Sequence, residues 1–538
     1  MTEVASWDRT IARGMRMRRS WTLRGGRPPV PLIAAAVFPT ALVLLPIAYT
    51  FVQATGVSAG DAVNLLVRPL VGRLLVNTIG LVVAASLTCA LIGTAAAWLV
   101  ERADLPGRRI WAVLAAAPLA IPAFIASYAW VSLSDGLQDF GGALLVVSCA
   151  YYPLVYLPVA AALRGLDPAL EETARSLGQG AWGCFYRVVL PQLRPALFGG
   201  MLLVALDTLV EFGAFSLLRF RTFTTELYAQ YRTGLDGPQS SLLALVLVAL
   251  CLVCLVAELR VRGQARYARV GGGSRRVAPP ARLGWTRWPA LLAFAALIGA
   301  TLGVPLGMVG YWLVQHAQAA ASPVAPSLPL LFAATFASVG YGLAGAAAAL
   351  VLAAPLGYLT TRYPSGWTVA LERIAYLAQG VPGIVVALAL VSLTVQTLQP
   401  LYQSAVLLVI AYAILFLPLA LVSVRATLAQ IPRGLEEAAR SLGLGWFAVA
   451  RRVLAPLAGP GIGAGAAMVF VFVATELTAT LLLSPIGTRT LATEVWANTS
   501  SLAFAAAAPF AAMMLLISLL STWLLARRFG AAAFAGQD

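Results

Sequence analysis

Apolar residues gather along this chain in long blocks rather than alternating with polar ones. Twelve such blocks fall near residues 31–53, 74–99, 110–133, 142–163, 196–218, 239–259, 289–314, 332–360, 374–397, 402–424, 461–484 and 503–526. A helix of about 20 apolar residues crosses the hydrocarbon core of a bilayer. Each block therefore predicts one membrane span, and the fold class is an all-α polytopic membrane protein. Pro39, Pro46, Pro118, Pro122, Pro355 and Pro382 interrupt several spans. Neighbouring helices can satisfy the carbonyls that these prolines free, so the interruptions fit inside a bundle. The first block is too long for the apolar region of a signal peptide and lacks its cleavage site, so an uncleaved anchor is expected.

Composition narrows the function. Of 538 residues, 60% are hydrophobic and 11% charged, with mean hydropathy +0.85, where a soluble domain carries roughly 25% charged residues. All 37 basic residues are arginine. Without lysine there is no Walker A loop, whose lysine must reach the β/γ-phosphates. His316 is the only histidine, which leaves little for His-ligated zinc or a Ser-His-Asp triad. Cys89, Cys149, Cys184, Cys251 and Cys254 lie in or beside apolar runs, where cysteine packs as a small apolar side chain.

The arginines also orient the bundle. With a cytoplasmic N-terminus and one crossing per span, 31 of the 37 arginines fall on the cytoplasmic side, a strong positive-inside bias. The remaining six are Arg68, Arg73, Arg219, Arg221, Arg232 and Arg489. This divides the chain into a basic cytoplasmic tail (1–30), a first six-span unit (31–260), a cytoplasmic linker (261–288), a second six-span unit (289–528) and a short cytoplasmic tail (529–538). Net charge is +16, but juxtamembrane arginines that orient a helix and touch anionic lipid account for the N-terminal cluster better than a nucleic-acid arm does. Gly271-Gly272-Gly273 and Pro279-Pro280 mark the linker as flexible.

The two units repeat. Residues 171–180 read EETARSLGQG and residues 436–445 read EEAARSLGLG, identical at eight of ten positions at an offset of 265. The register continues through Arg187/Arg452, Pro191/Pro456, Pro195/Pro460 and Glu211/Glu476. Upstream, Trp98-Leu99 and Tyr358-Leu359, like Leu157-Pro158 and Leu417-Pro418, stand at an offset of 260. An even number of spans per unit makes the copies parallel, so both loops lie on one side.

Asp167-Pro168 reads as an N-cap followed by proline in the first helical position. Leu170, Ala174 and Leu177 share one helical face, as do Leu435, Ala439 and Leu442, and Gly178 and Gly443 stop the helices. Glu171 and Arg175 stand i,i+4, a surface pair contributing about 0.2–0.5 kcal/mol. A solvated loop would need nothing more. The same ten residues in both halves instead indicate a duplicated docking element for a two-fold partner.

This pattern, with a proline thirteen residues beyond each glycine, resembles the EAA loop of type I ABC importer permeases. It spans residues 166–191 and again 431–456. Two six-span units fused head to tail resemble the ferric-iron uptake permeases among them. The resemblance implies a non-catalytic permease subunit in a bacterial cytoplasmic membrane, with both termini in the cytoplasm. It implies an extracytoplasmic binding protein and two copies of a cytoplasmic ATP-binding subunit that carry the ATP and Mg, with no cofactor in this chain. Coupling to that subunit would fall to Glu171, Glu172, Ala174, Gly178, Glu436, Glu437, Ala439 and Gly443. Thr173, where the second copy has alanine, is a mild departure.

Charges inside a membrane cost about 2.5–3.5 kcal/mol on insertion scales and usually serve a function. Asp207 and Glu211 are expected one turn apart on one face of the fifth span, with Glu476 equivalent in the eleventh. They are candidates to line or gate a cation path, or to bond across the bundle. Phe223-Thr224-Thr225-Glu226 and Leu491-Ala492-Thr493-Glu494, with Tyr228, Tyr231 and Trp496 beyond them, are candidates for contact with a partner outside. Thiamine, phosphonate and polyamine permeases are the nearest substrate alternatives. An ion-coupled secondary transporter is the alternative of a different class, and no nucleophile–base pair suggests an enzyme. The topology has a direct check. Cysteines introduced at Gly180 and Gly445, with the native cysteines replaced, should react with an impermeant reagent from the cytoplasm only, and labelling of either in intact cells would exclude the parallel twelve-span arrangement.

Overall fold

The structure, a computed structural model, describes residues 28–233, 237–265, 281–318, 327–525 and 527. The expected N-terminal basic tail up to residue 27, the centre of the linker (266–280) and the expected C-terminal tail lie outside the described residues.

Among the described residues, ten helices are long and apolar enough to cross a membrane. They are Val30–Ala54, Pro69–Arg102, Phe140–Gly165, Trp182–Val210 and Gly237–Glu258 in the first half, then Gly284–Gln315, Leu328–Arg362, Ala405–Gln430, Trp446–Ala474 and Phe504–Leu524 in the second. The third and ninth expected spans are not single helices. Arg108–Ala120 meets Ala123–Leu133 at 92°, and Gly366–Gly380 meets Gly383–Thr397 at 100°. The cause is local. A residue before proline is pushed out of the helical region, and Ile121 and Val381 are extended, at ψ 115° and 117°. Pro122 and Pro382 then cap the second segments.

The fifth and eleventh spans also end earlier than expected. They stop at Val210 and Ala474, and short helices Gly213–Leu217 and Thr478–Leu483 follow. Both begin in duplicated π-turns, Phe185–Val189 and Ala450–Leu454, again offset by 265. The duplication thus extends to local backbone irregularities, and π-turns of this kind are frequent at functional sites.

Each half packs its second, fourth and fifth spans pairwise into a core. Gly93 and Gly200 let the second and fifth spans approach the fourth. A Cβ on Gly93 would lie 2.9 Å from the Tyr156 nitrogen and from Val155 Cβ, and one on Gly200 would lie 2.8 Å from Val155 Cα. Small residues serve this purpose where apolar lipid offers no hydrophobic drive between helices. The first helix of each half crosses to the other. Val30–Ala54 packs on Leu328–Arg362 and Gly383–Thr397, and Val304–Gln318 packs on Ala123–Leu133. This exchange joins the halves into one bundle. Val76, Leu91, Phe336 and Val351 remain exposed on its flanks, as residues solvated by lipid do.

Gly93→Leu should separate the second and fourth spans and lower the melting temperature of the purified protein by several degrees, overpacking costing about 1–3 kcal/mol. Gly72→Leu on the same helix, where an added Cβ meets nothing within 4 Å, should leave melting unchanged.

Candidate functional site

The repeated decapeptides form helices Pro168–Ser176 and Arg433–Ser441. Asp167 caps the first through the Ala169 N–H at 3.0 Å, with Pro168 in the first position. The second begins after Pro432 with no side-chain cap. Gly178 and Gly443 end them at φ +81° and +85°. The Gln179 and Leu444 N–H groups reach back to the Ala174 and Ala439 carbonyls at 3.0 and 3.2 Å, closing each end in a Schellman turn.

The expected Glu171–Arg175 surface pair does not form. Glu171 faces Arg102, the last residue of the second span, at 3.1 Å, and Arg102 also donates to the Leu163 carbonyl at the end of the fourth span. In the other half, Glu436 faces Arg362 at 2.6 Å, and Arg362 donates to the Ile431 carbonyl. The side chains are 7% and 13% exposed in the first pair and 8% and 6% in the second. Tyr358 donates to Glu436 at 2.8 Å. Each arginine therefore joins the ends of two spans to the short helix. Long-range geometry prevails over the helix-surface pair because an arginine already buried at a span's end needs a carboxylate.

The expected single apolar face also divides. Ala174 and Ala439 are buried against the bundle, whereas Leu170, Leu177, Leu435 and Leu442 stand exposed. Glu172 and Glu437 are exposed too. Two roles follow from one helix. Glu171, Glu436, Ala174 and Ala439 fasten it, and the exposed leucines and second glutamates are what a partner would meet. Exposed Trp182 and Phe447 extend the two apolar surfaces.

The carboxylates deeper in the bundle sit at the breaks. Glu211 is not on the helix carrying Asp207; it lies beyond its end at ψ 126°. One carboxylate oxygen accepts the Ala214 N–H at 2.8 Å and the other accepts the Tyr151 hydroxyl at 2.6 Å. Glu476 does the same for the equivalent short helix, accepting the Ala479 and Thr480 N–H groups at 2.9 and 3.1 Å. Both glutamates thus supply acceptors where the helix ends leave donors unpaired. The Asp207 carboxylate makes no hydrogen bond among the described residues, and its counterpart by register is Phe472.

Four breaks meet here. A Cβ on Gly213 would lie 2.8 Å from Phe124 and 2.9 Å from Leu477, and one on Gly383 would lie 3.4 Å from a Glu476 carboxylate oxygen. Irregular backbone at membrane depth persists only where protein or a polar path surrounds it. Among the described residues, no three His, Cys, Asp or Glu side chains converge to hold a metal ion. The segments expected to meet an outside partner are largely buried at their starts, where Phe223, Thr224, Leu491 and Ala492 are closed off. Their far ends carry the accessible groups.

Arg102, Arg362 and Tyr151 were not singled out in the sequence, and Tyr358 stood there only as a repeat position. For the two arginines a signal existed, since they share the 260 offset of Trp98 and Tyr358.

The profile of the family described as binding-protein-dependent transport system inner membrane component matches residues 90–262 and 353–528. The chain is 35% identical over 500 residues to the Fe(3+)-transport system permease protein FbpB 2 of Haemophilus influenzae, covering 93% of this chain and 98% of that one. It is 28% identical over 253 residues to the sulfate transport system permease protein CysT of Escherichia coli (43% of this chain, 91% of that one). It is also 28% identical over 182 residues to the molybdenum transport system permease protein ModB of Escherichia coli (30% and 80%). The last two relatives nearly span their own length on less than half of this chain, as a single repeat would.

Removing one member of a buried ion pair costs about 3–5 kcal/mol. Glu436→Ala should accordingly lower the melting temperature of the purified protein clearly, and Glu437→Ala, at an exposed position, should not. Equal melting of the two variants would show that the Arg362 pair does not fasten the helix.

Proposed function

The chain belongs to the family of binding-protein-dependent transport system inner membrane components, and we propose that it forms the translocation path of an ATP-driven importer for ferric iron. One observation carries the reading: two equivalent short helices project from the same end of the bundle, each fixed to two spans by a buried arginine and each presenting exposed leucines. Such a rigid knob transmits motion, because the ion pair leaves the helix no freedom to move without the second and fourth spans. The arginine-rich end that carries the knobs faces the cytoplasm, where two copies of an ATP-binding subunit hydrolyse ATP with Mg. The opposite end receives substrate from an extracytoplasmic binding protein.

Ferric iron is favoured because the relative matching nearly end to end bears that substrate in its name, whereas the sulfate and molybdenum relatives match one repeat or less. Oxygen ligands suit a hard cation, and Asp207, Glu211 and Glu476 supply carboxylates where the broken helices meet. Carboxylates placed at breaks inside a membrane bundle are suited to line or gate such a path.

Deleting the chain from a strain without other ferric systems should abolish ferric uptake and leave thiamine uptake untouched; undiminished iron uptake would refute the substrate. Gly443→Asp, a non-glycine residue forced to φ +85° at a cost of about 1–2 kcal/mol, should leave the protein in the membrane, weaken co-purification of the ATP-binding subunit and abolish uptake. Glu211→Gln should alter transport or uncouple ATP hydrolysis while assembly survives, and parental transport in that variant would remove Glu211 from the path.

A further inference from the structure

At the end of the bundle opposite the coupling helices, a cavity of about 290 Å³ opens on the seam between the two halves. The first half contributes the short helix Gly213–Leu217 and the helix Phe223–Arg232, and the second contributes the helix Leu491–Ser500. Arg219, Arg232, Gln138, Tyr228, Trp496 and Ser500 all line it, and no Asp or Glu appears among the described lining residues. Neither arginine forms an ion pair among the described residues. Arg232 lies against the Tyr228 hydroxyl, and the Trp496 indole N–H reaches Ser216 at 3.2 Å. Tyr228 and Trp496 meet edge to face at 5.6 Å between ring centroids, joining the halves.

Two features mark this cavity as built. Arg219 and Leu502, both at its wall, hold left-handed backbone at φ +52° and +61°, a conformation that a residue with a Cβ adopts only where its surroundings impose it. The charge, moreover, is not a by-product of the duplication. Helix Phe223–Arg232 corresponds to Leu491–Ser500, so that Arg232 corresponds to Ser500 and, in the same register, Arg219 corresponds to Gly487. The first half alone supplies the cations and the second supplies a hydroxyl and an indole. Two guanidinium groups on one small cavity repel until an anion sits between them, and their planar donors match carboxylate and phosphate oxygens. The cavity falls just under the roughly 300–1,000 Å³ of drug-sized sites, so it suits a small group.

We infer that this seam is an oxyanion pocket, taking a carboxylate or an anion of phosphate size between Arg219 and Arg232. Two sources share that chemistry: a small anion free in solution, or an acidic side chain of the binding protein. The second source rests on the importer reading above, and the first does not. Gly213–Leu217 links the pocket to the path, since Glu211 caps its start and Arg219 follows its end.

The test uses the full chain in lipid nanodiscs, titrated separately with citrate and inorganic phosphate and followed by calorimetry. Saturable binding of either, weakened about tenfold or more in the Arg219→Gln/Arg232→Gln variant, would place the source in solution. Arg219→Gln alone, and the elution and melting of each variant, guard against a folding defect. If the chain alone binds neither probe, the complex with its ATP-binding subunit is assayed with the loaded binding protein. A rise of about tenfold in the binding-protein concentration that half-maximally stimulates ATP hydrolysis, with citrate competing in the parent, would place the source in the partner. No anion binding together with no such rise overturns the proposal. A parent complex whose ATP hydrolysis ignores the binding protein would overturn the importer reading instead, and the nanodisc titration would then decide the pocket by itself.

Discussion

The buried arginine at the end of each second span governs the working end of this molecule. A nine-residue helix such as Pro168–Ser176 is too short to persist by itself in water, where even good helix formers need about 12–15 residues. Its cap and its Schellman turn define where it starts and stops, but neither fixes it in space. The Arg102–Glu171 and Arg362–Glu436 contacts do. Each arginine also meets a carbonyl near the end of the fourth or tenth span, where the helix dipole favours a cation. Removing the glutamate would leave a largely buried guanidinium without its countercharge, so the short helix is held by the cost of its own detachment.

The same economy of polar groups operates at the breaks. Each interruption of a helix inside the bundle frees donors that lipid cannot satisfy. Glu211 and Glu476 accept the amides that start the short helices after the fifth and eleventh spans, and Thr224 donates to the Glu211 carbonyl at 2.7 Å. Structural and functional accounts of these carboxylates are therefore compatible. A glutamate that caps a short helix beside the meeting point of four breaks would shift that helix whenever its charge or its partner changed.

How much of this was legible beforehand depended on sequence separation. The span blocks, the duplication and the left-handed glycines were readable because each is a local pattern. Glu171 and Glu436 were recognised as special, but their partners lie 69 and 74 residues away, and the nearer Arg175 offered a sufficient local explanation. Prolines misled in a related way. Pro355 sits within the unbroken Leu328–Arg362, as do Pro39 and Pro46 within Val30–Ala54, whereas Pro122 and Pro382 stand at bends near a right angle. The residue type is the same. What differs is whether the preceding residue keeps its helical backbone, and that is decided by what packs around it. Glu211 was assigned to a helix because its neighbours are apolar, although Phe212 and Gly213 belong to the turn and the next helix.

A chain that carries both copies of a repeat can let them diverge, which a pair of identical subunits cannot do. The divergence here is not uniform. At the arginine-rich end the halves keep the same ion pair, glycine stop, π-turn and exposed leucines; they differ in how the helix begins, with Asp167 against Pro432, and little in what it presents. Toward the opposite end the copies part, with Asp207 against Phe472, Arg219 against Gly487 and Arg232 against Ser500. Two copies of one ATP-binding subunit would require matching knobs and so hold the first end to symmetry. On the proposed importer reading, a single binding protein would have no two-fold axis, and a single ion on a central path would occupy one position at a time. Symmetry imposes nothing at that end, and a basic half facing a hydroxyl half is the arrangement that a lone, asymmetric ligand would select.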